Sequence, residues 1–168
     1  VQSDEISLCL TDFSEESNTT EAWFNGNLQK MCSISASLAT AKFNHLRKDS
    51  NLAFFDSRVF TVSSPWEVQN YFVWRNQDCV RNSVQMVARA NFSHHECDNL
   101  NVSQLQEKLF KEKEINWNDY DVTCKNGSFC TKKMGGWVIQ PAPIFSKTPE
   151  VIFNLLPKHT TGLENEQD

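Results

Sequence analysis

Three groups of residues in this chain could do chemistry. The first is at the start, where Ser3, Asp4 and Glu5 stand directly ahead of an alternating Ile6, Leu8 and Leu10. Neighbouring side chains on a strand point to opposite faces, so Asp4 and Glu5 cannot both chelate one ion in ideal strand geometry. One can bind a metal while the other pairs with a cation or supports the site. Magnesium takes one or two carboxylates and completes its shell with waters and phosphate oxygens. The same pair can equally be a charged guard on an edge strand. The second group is basic. Lys30 sits in the first turn of a predicted helix, where free N–H groups favour anions. Arg58 follows Asp56 by two, which puts both on one side of a predicted strand. The third group, Arg75, Asp78 and Asn82, recurs at three- and four-residue steps. It forms a polar stripe on one helix, which on its own account is a solvated face.

Acids that hold a metal and cations that neutralise phosphates are what phosphoryl transfer needs, since its catalysis is mainly positioning and charge neutralisation. Other chemistries find less support. His94, His95, Glu96 and Cys97 are adjacent, but neither they nor Cys124 and Cys130 have the ligand spacing of a zinc site. There is no dinucleotide fingerprint, phosphate loop or nucleophile elbow, and no paired nucleophile and base for a Ser or Cys hydrolase.

The elements that must position these groups can be read from periodicity. Residues 2–10 read as a strand and 11–26 as a polar loop containing Asn25-Gly26. Residues 28–47 carry Leu28, Met31, Ile34, Leu38 and Ala41 at helical steps, an amphipathic helix. A second strand is predicted over 52–60. Ser64, Pro65 and Glu67 then form a capping box with Pro at the first helical position, opening a helix from 65 to about 90. Asn101 caps a helix over 102–111 with Leu105 and Leu109 inward. Asn126-Gly127 predicts a hairpin turn, and a last strand stops at Pro141. The predicted fold class is α+β, an antiparallel or mixed sheet covered by helices. It divides into one domain over 1–157 and a flexible acidic tail over 158–168.

At 168 residues the chain fits one domain with a core of its own. The net charge of −5 argues against a uniformly basic nucleic-acid binder but not against a local basic groove. No apolar run reaches the roughly 18–20 residues of a membrane helix. Six cysteines and four N-x-[ST] sequons, at Asn18, Asn91, Asn101 and Asn126, offer a competing reading as a secreted, disulfide-linked glycoprotein or interaction module.

Taken in order, QSDEIS, FNGNLQKM, FFDSRVF, WRNQDCVRNS, VSQLQEKL and KEINW resemble the tRNA-His guanylyltransferase family, and more closely its bacterial-type "like" branch. The resemblance implies a palm-like catalytic domain and an enzyme that adds nucleotides to the 5′ end of tRNA in the 3′→5′ direction. That enzyme would use two Mg²⁺ ions and ATP or GTP as substrates. It implies Asp4, Glu5 and Asp78 as catalytic residues, with Asp4 as the metal ligand. Ser3, Lys30, Arg58, Arg75 and Asn82 are implied as nucleotide- and phosphate-binding residues. Template-dependent repair of 5′-truncated tRNAs, a cytoplasmic setting and a homo-oligomer (a dimer or tetramer) follow from the same resemblance. Val80 and Ser83 stand where the eukaryotic enzymes carry His and Asn, which points to the "like" branch. The family's first metal-binding Asp, in a D-G-R type segment, has no counterpart here. The expectation is therefore a palm lacking its N-terminal strand, with a non-catalytic tRNA-binding remnant as the alternative.

Overall fold

The computed structural model describes residues 5–12, 21–47 and 51–156. A 3-10 turn at Trp23–Gly26 leads into helix α1, Leu28–Arg47. Helix α2 spans Pro65–Asn91, and the short α3 spans His94–Cys97. Helix α4 is Val102–Lys113; after a 3-10 turn at Trp117–Asp119 comes α5, Val122–Asn126. Strands β1, Ser128–Lys133, and β2, Gly136–Pro141, form an antiparallel pair, and α6 is Glu150–Phe153. The architecture is helix plus sheet, as the pattern predicts. It falls into two compact units, one built from 5–9 with 64–155 and the other from 10–63.

The larger unit is organised along α2. Its start is capped as the sequence predicts: the Ser64 hydroxyl accepts from the Glu67 N–H at 3.3 Å, behind Pro65. One core forms where Val84, Ala88 and Phe92 meet Leu105 and Leu109 of α4, the two inward leucines expected there. A second forms where Ala142, Phe145 and Ile152 pack with Val68, Phe72, Val73 and Phe129. Asn76 is buried on α2 and serves as a polar tie. Its amide donates to the Asn126 carbonyl at 3.2 Å, and its oxygen accepts from the Phe145 N–H at 3.2 Å.

The hairpin turns elsewhere than predicted. Asp121 caps the N-terminus of α5 by accepting from the Thr123 N–H at 2.8 Å, and Gly127 ends that helix with φ of 84°. Asn126-Gly127 is thus consumed as a helix stop. The strands instead reverse at Met134-Gly135, where Gly135 and Gly136 supply φ of 104° and 129°.

The predicted strands over 2–10 and 52–60 are the second correction. Residues 2–4 lie outside the described residues and Glu5 keeps a single bridge position, but among the described residues neither 6–10 nor 52–60 forms a strand of a sheet; within each unit the segment lies against a helix. The alternation itself survives. Glu5 and Ser7 are half-buried, while Ile6, Leu8 and Leu10 are exposed. In the smaller unit Ala53, Phe55, Ser57 and Val59 are half-buried, while Leu52, Phe54 and Phe60 are exposed. Side chains of α1 replace a ladder there. Asn44 donates to the Ala53 carbonyl at 2.8 Å and accepts from its N–H at 2.9 Å. Thr40 accepts from the Phe55 N–H at 3.0 Å, and Ser35 donates to the Ser57 hydroxyl at 2.7 Å. Apart from Met31, the half-buried face of α1 is therefore its small and polar one, through Cys32, Ser35, Ala36, Ala39, Thr40 and Asn44. Most of the apolar stripe read from the sequence points outward, with Leu38 60% exposed. Close approach of a backbone to a helix selects small residues with hydrogen-bonding groups, and in this unit that outweighs the hydrophobic pattern.

Candidate functional site

The larger unit draws four of the predicted site residues into one hydrogen-bonded chain. Glu5 reaches across to α2. Its carboxylate accepts from Arg75 Nε at 2.6 Å and from Arg75 Nη2, a two-pronged ion pair. The same Nη2 donates to Asp78 Oδ2 at 3.0 Å. Asp78 Oδ1 accepts from Arg81, and Asn82 Nδ2 lies 3.4 Å from Asp78 Oδ2. Helical spacing produces this order, since residues three and four apart share a face. Arg75 and Asp78 are shielded, with side chains 19% and 14% exposed.

Three side chains complete the cluster. The Ser7 hydroxyl donates to Glu5 Oε1 at 3.1 Å and pairs with the Tyr71 hydroxyl at 3.2 Å. The Trp74 ring lies beneath the Arg75 guanidinium, 4.5 Å from Cζ to the ring centre. Burial pulls the Arg75 pKa down, but the hydrogen bond and charge of Glu5, then the charge of Asp78, more than offset it. The net shift is upward and the guanidinium stays charged. Burial pushes the adjacent Cys79 thiol up to about 11, so this cysteine is a neutral packing group. Tyr71, Arg81 and Ser7 are the members the sequence reading missed. Tyr71 extends the 75–78–82 stripe by one step toward the start of α2, Arg81 falls inside it three residues after Asp78, and Ser7 shares Glu5's side of an alternating segment.

Ser3 and Asp4 fall outside the described residues. Lys30 and Arg58 belong to the smaller unit. Lys30 is exposed in the first turn of α1, where its N–H is capped by Asn27 Oδ1 at 3.0 Å. Arg58 pairs with Asp56 at 3.1 Å, but the two side chains are 87% and 81% exposed, so water screens the pair. Among the described residues no group of three or more His, Cys, Asp or Glu side chains is placed to hold a metal ion. Glu5 and Asp78 do not fit as metal donors, because guanidinium groups occupy their oxygens.

Two features bear on the competing readings. All six cysteines are unpaired, which removes the disulfide framework. No helix among the described residues is long and apolar enough to cross a membrane. Ser83 is buried in the core. Its hydroxyl accepts the Trp117 indole N–H at 3.1 Å and donates to the Val80 carbonyl at 2.7 Å.

No protein-family model matches the chain. An uncharacterized protein of Acanthamoeba polyphaga mimivirus is 29% identical over 158 residues, covering 79% of this chain. The chain spans about half of that curated relative, 54% of its length. Among solved structures, a bacterial tRNA(His) guanylyltransferase-like protein in complex with ATP is 45% identical, with a TM-score of 0.81. The match covers 92% of this chain and 68% of the other. A second structure so described, in complex with GTP, is 36% identical with a TM-score of 0.69, covering 92% of this chain and 65% of the other. The tRNA(His) guanylyltransferase of Saccharomyces cerevisiae shares the fold at 21% identity and a TM-score of 0.56, over 77% of this chain and 64% of that one. With nearly half its residues shared across two thirds of a solved member, the chain belongs to the bacterial tRNA(His) guanylyltransferase-like family.

Proposed function

We propose that this protein is a nucleotidyltransferase that adds nucleotides, in a template-dependent 3′→5′ direction, to the 5′ end of tRNAs that have lost 5′ residues. The observation that carries this reading is the 45% identity to an ATP-complexed bacterial relative across 92% of the chain. In the first step an oxygen of the tRNA 5′-monophosphate attacks the α-phosphorus of ATP or GTP and expels pyrophosphate. In the second, the 3′-hydroxyl of an incoming nucleoside triphosphate attacks the activated 5′-phosphorus. The nucleoside monophosphate leaves, and the hydroxyl proton passes to a base or to water.

Ser3, Lys30, Arg58 and Asn82 are proposed to face nucleotide phosphates. Asp4 is proposed as the carboxylate that holds Mg²⁺, the ion that would neutralise charge on the transferring phosphate. A chain of net charge −5 that binds tRNA must gather its cations in one groove, which favours a homo-oligomer, a dimer or tetramer. Six unpaired thiols support a reducing compartment, the cytoplasm.

The test supplies α-labelled ATP, Mg²⁺ and a 5′-monophosphorylated, 5′-truncated tRNA. Transfer of label to the tRNA before any extension is the expected result. Binding of tRNA without transfer would favour the second reading, a non-catalytic tRNA-binding member of the family. The arginine-occupied carboxylates Glu5 and Asp78 are the observation in its favour.

A further inference from the structure

The Glu5 cluster contains two carboxylates, Glu5 and Asp78, and two guanidiniums, Arg75 and Arg81. Its formal charge is therefore balanced. A triphosphate brings several negative charges and needs surplus positive charge, which this cluster does not offer. Arg75 is also held on three sides: Glu5 at Nε and Nη2, Asp78 at Nη2, and the Trp74 ring against its face. Swinging it toward a phosphate would leave the shielded Asp78 carboxylate short of a partner, which is costly in a partly desolvated site. Glu5 is committed in the same way, with Arg75 on both oxygens and the Ser7 hydroxyl on Oε1.

We infer that Arg75 is a positioning residue whose target is Glu5, not a nucleotide phosphate, and that Glu5 is the anchor of the N-terminal segment, not a metal ligand. Tyr71, through Ser7, is the second point of attachment. Two-pronged Arg–carboxylate pairs fix direction as well as distance, so the ion pair holds the backbone at residue 5 against α2. This inference rests on the proposed function only for its meaning in turnover. The clamp itself is a property of the folded chain.

The experiment is a double-mutant cycle with Glu5→Gln, Arg75→Gln and the pair, read in two ways on the full chain. Amide hydrogen exchange over residues 5–9, in the absence of any ligand, tests the clamp directly. Each single variant should speed exchange there by about tenfold, and the double variant should add no more than about twofold. Wild-type exchange in both single variants, or losses that multiply in the double, would overturn the clamp. Should Arg75→Gln not fold, Glu5→Gln with Tyr71→Phe gives the same readout from the more exposed side. The second readout is steady-state nucleotide addition. Arg75→Gln should lower kcat while the KM for ATP stays within about threefold. A KM raised tenfold or more at unchanged kcat would overturn the inference by placing Arg75 on the nucleotide. Absence of addition by the wild-type chain would refute the proposed function and leave the exchange cycle to decide the clamp.

Discussion

Removing the Asn44 amide should loosen the segment that carries Asp56 and Arg58. Asn44 of α1 makes two bonds to one residue, donating to the Ala53 carbonyl at 2.8 Å and accepting from its N–H at 2.9 Å. The side chain thereby supplies what a neighbouring strand would supply. A hydrogen bond of this kind contributes about 0.5–1.5 kcal/mol net, so the pair is worth about 2 kcal/mol. At RT of about 0.59 kcal/mol, Asn44→Ala should raise local opening of the segment about 30-fold. The nearly isosteric Thr40→Val removes only the 3.0 Å bond from the Phe55 N–H, and about fivefold is expected. Hydrogen exchange over residues 51–60 reads both values, with exchange in α4 as the internal control. Unchanged exchange at Ala53 and Phe55 in Asn44→Ala would refute the view that α1 side chains, not a sheet, hold this segment.

Further outcomes follow from the same packing. Leu109, fully buried between α4 and α2, should cost about 2–5 kcal/mol in urea unfolding when changed to Ala. Leu38→Glu on the outward face of α1 should change stability by no more than about 0.5 kcal/mol. Ser83→Ala strands the Trp117 indole N–H, and a loss of about 1–3 kcal/mol is expected in the same assay. Cys79 has a thiol pushed from 9.0 to about 11 by burial, so at pH 8 it should react with a disulfide reagent far more slowly than the exposed Cys124 and Cys130. The sign for stability follows: the folded state keeps the Cys79 proton that the unfolded chain loses above pH 9, so this contribution is present below pH 9 and is lost as pH rises toward 11.

What the sequence made legible was local. The Ser64-Pro65 start of α2, the Asn101 cap of α4 and the inward Leu105 and Leu109 each depend on a few adjacent residues, and each appears where expected. The 75–78–82 stripe was legible as a stripe, and its meaning came only when Glu5 arrived from 70 positions away. What was not legible depended on partners. Alternation at 5–10 and 52–60 reports two-faced segments, but whether a face meets a strand or a helix is not encoded in the alternation. In α1 the apolar stripe misled, because a backbone packed against Ser35, Thr40 and Asn44 turned Leu38 outward. Asn126-Gly127 misled for a simpler reason: the left-handed conformation it favours ends a helix as readily as it turns a hairpin.

The most direct test of the central claim is templated addition itself. A tRNA lacking its first 5′ nucleotides is incubated with the protein, ATP, Mg²⁺ and the four nucleoside triphosphates, and the added 5′ residues are sequenced. The account predicts that each added nucleotide pairs with the opposing 3′ strand and changes when that strand is mutated. Extension that ignores the opposing strand, or no extension of a tRNA the protein binds, would contradict it.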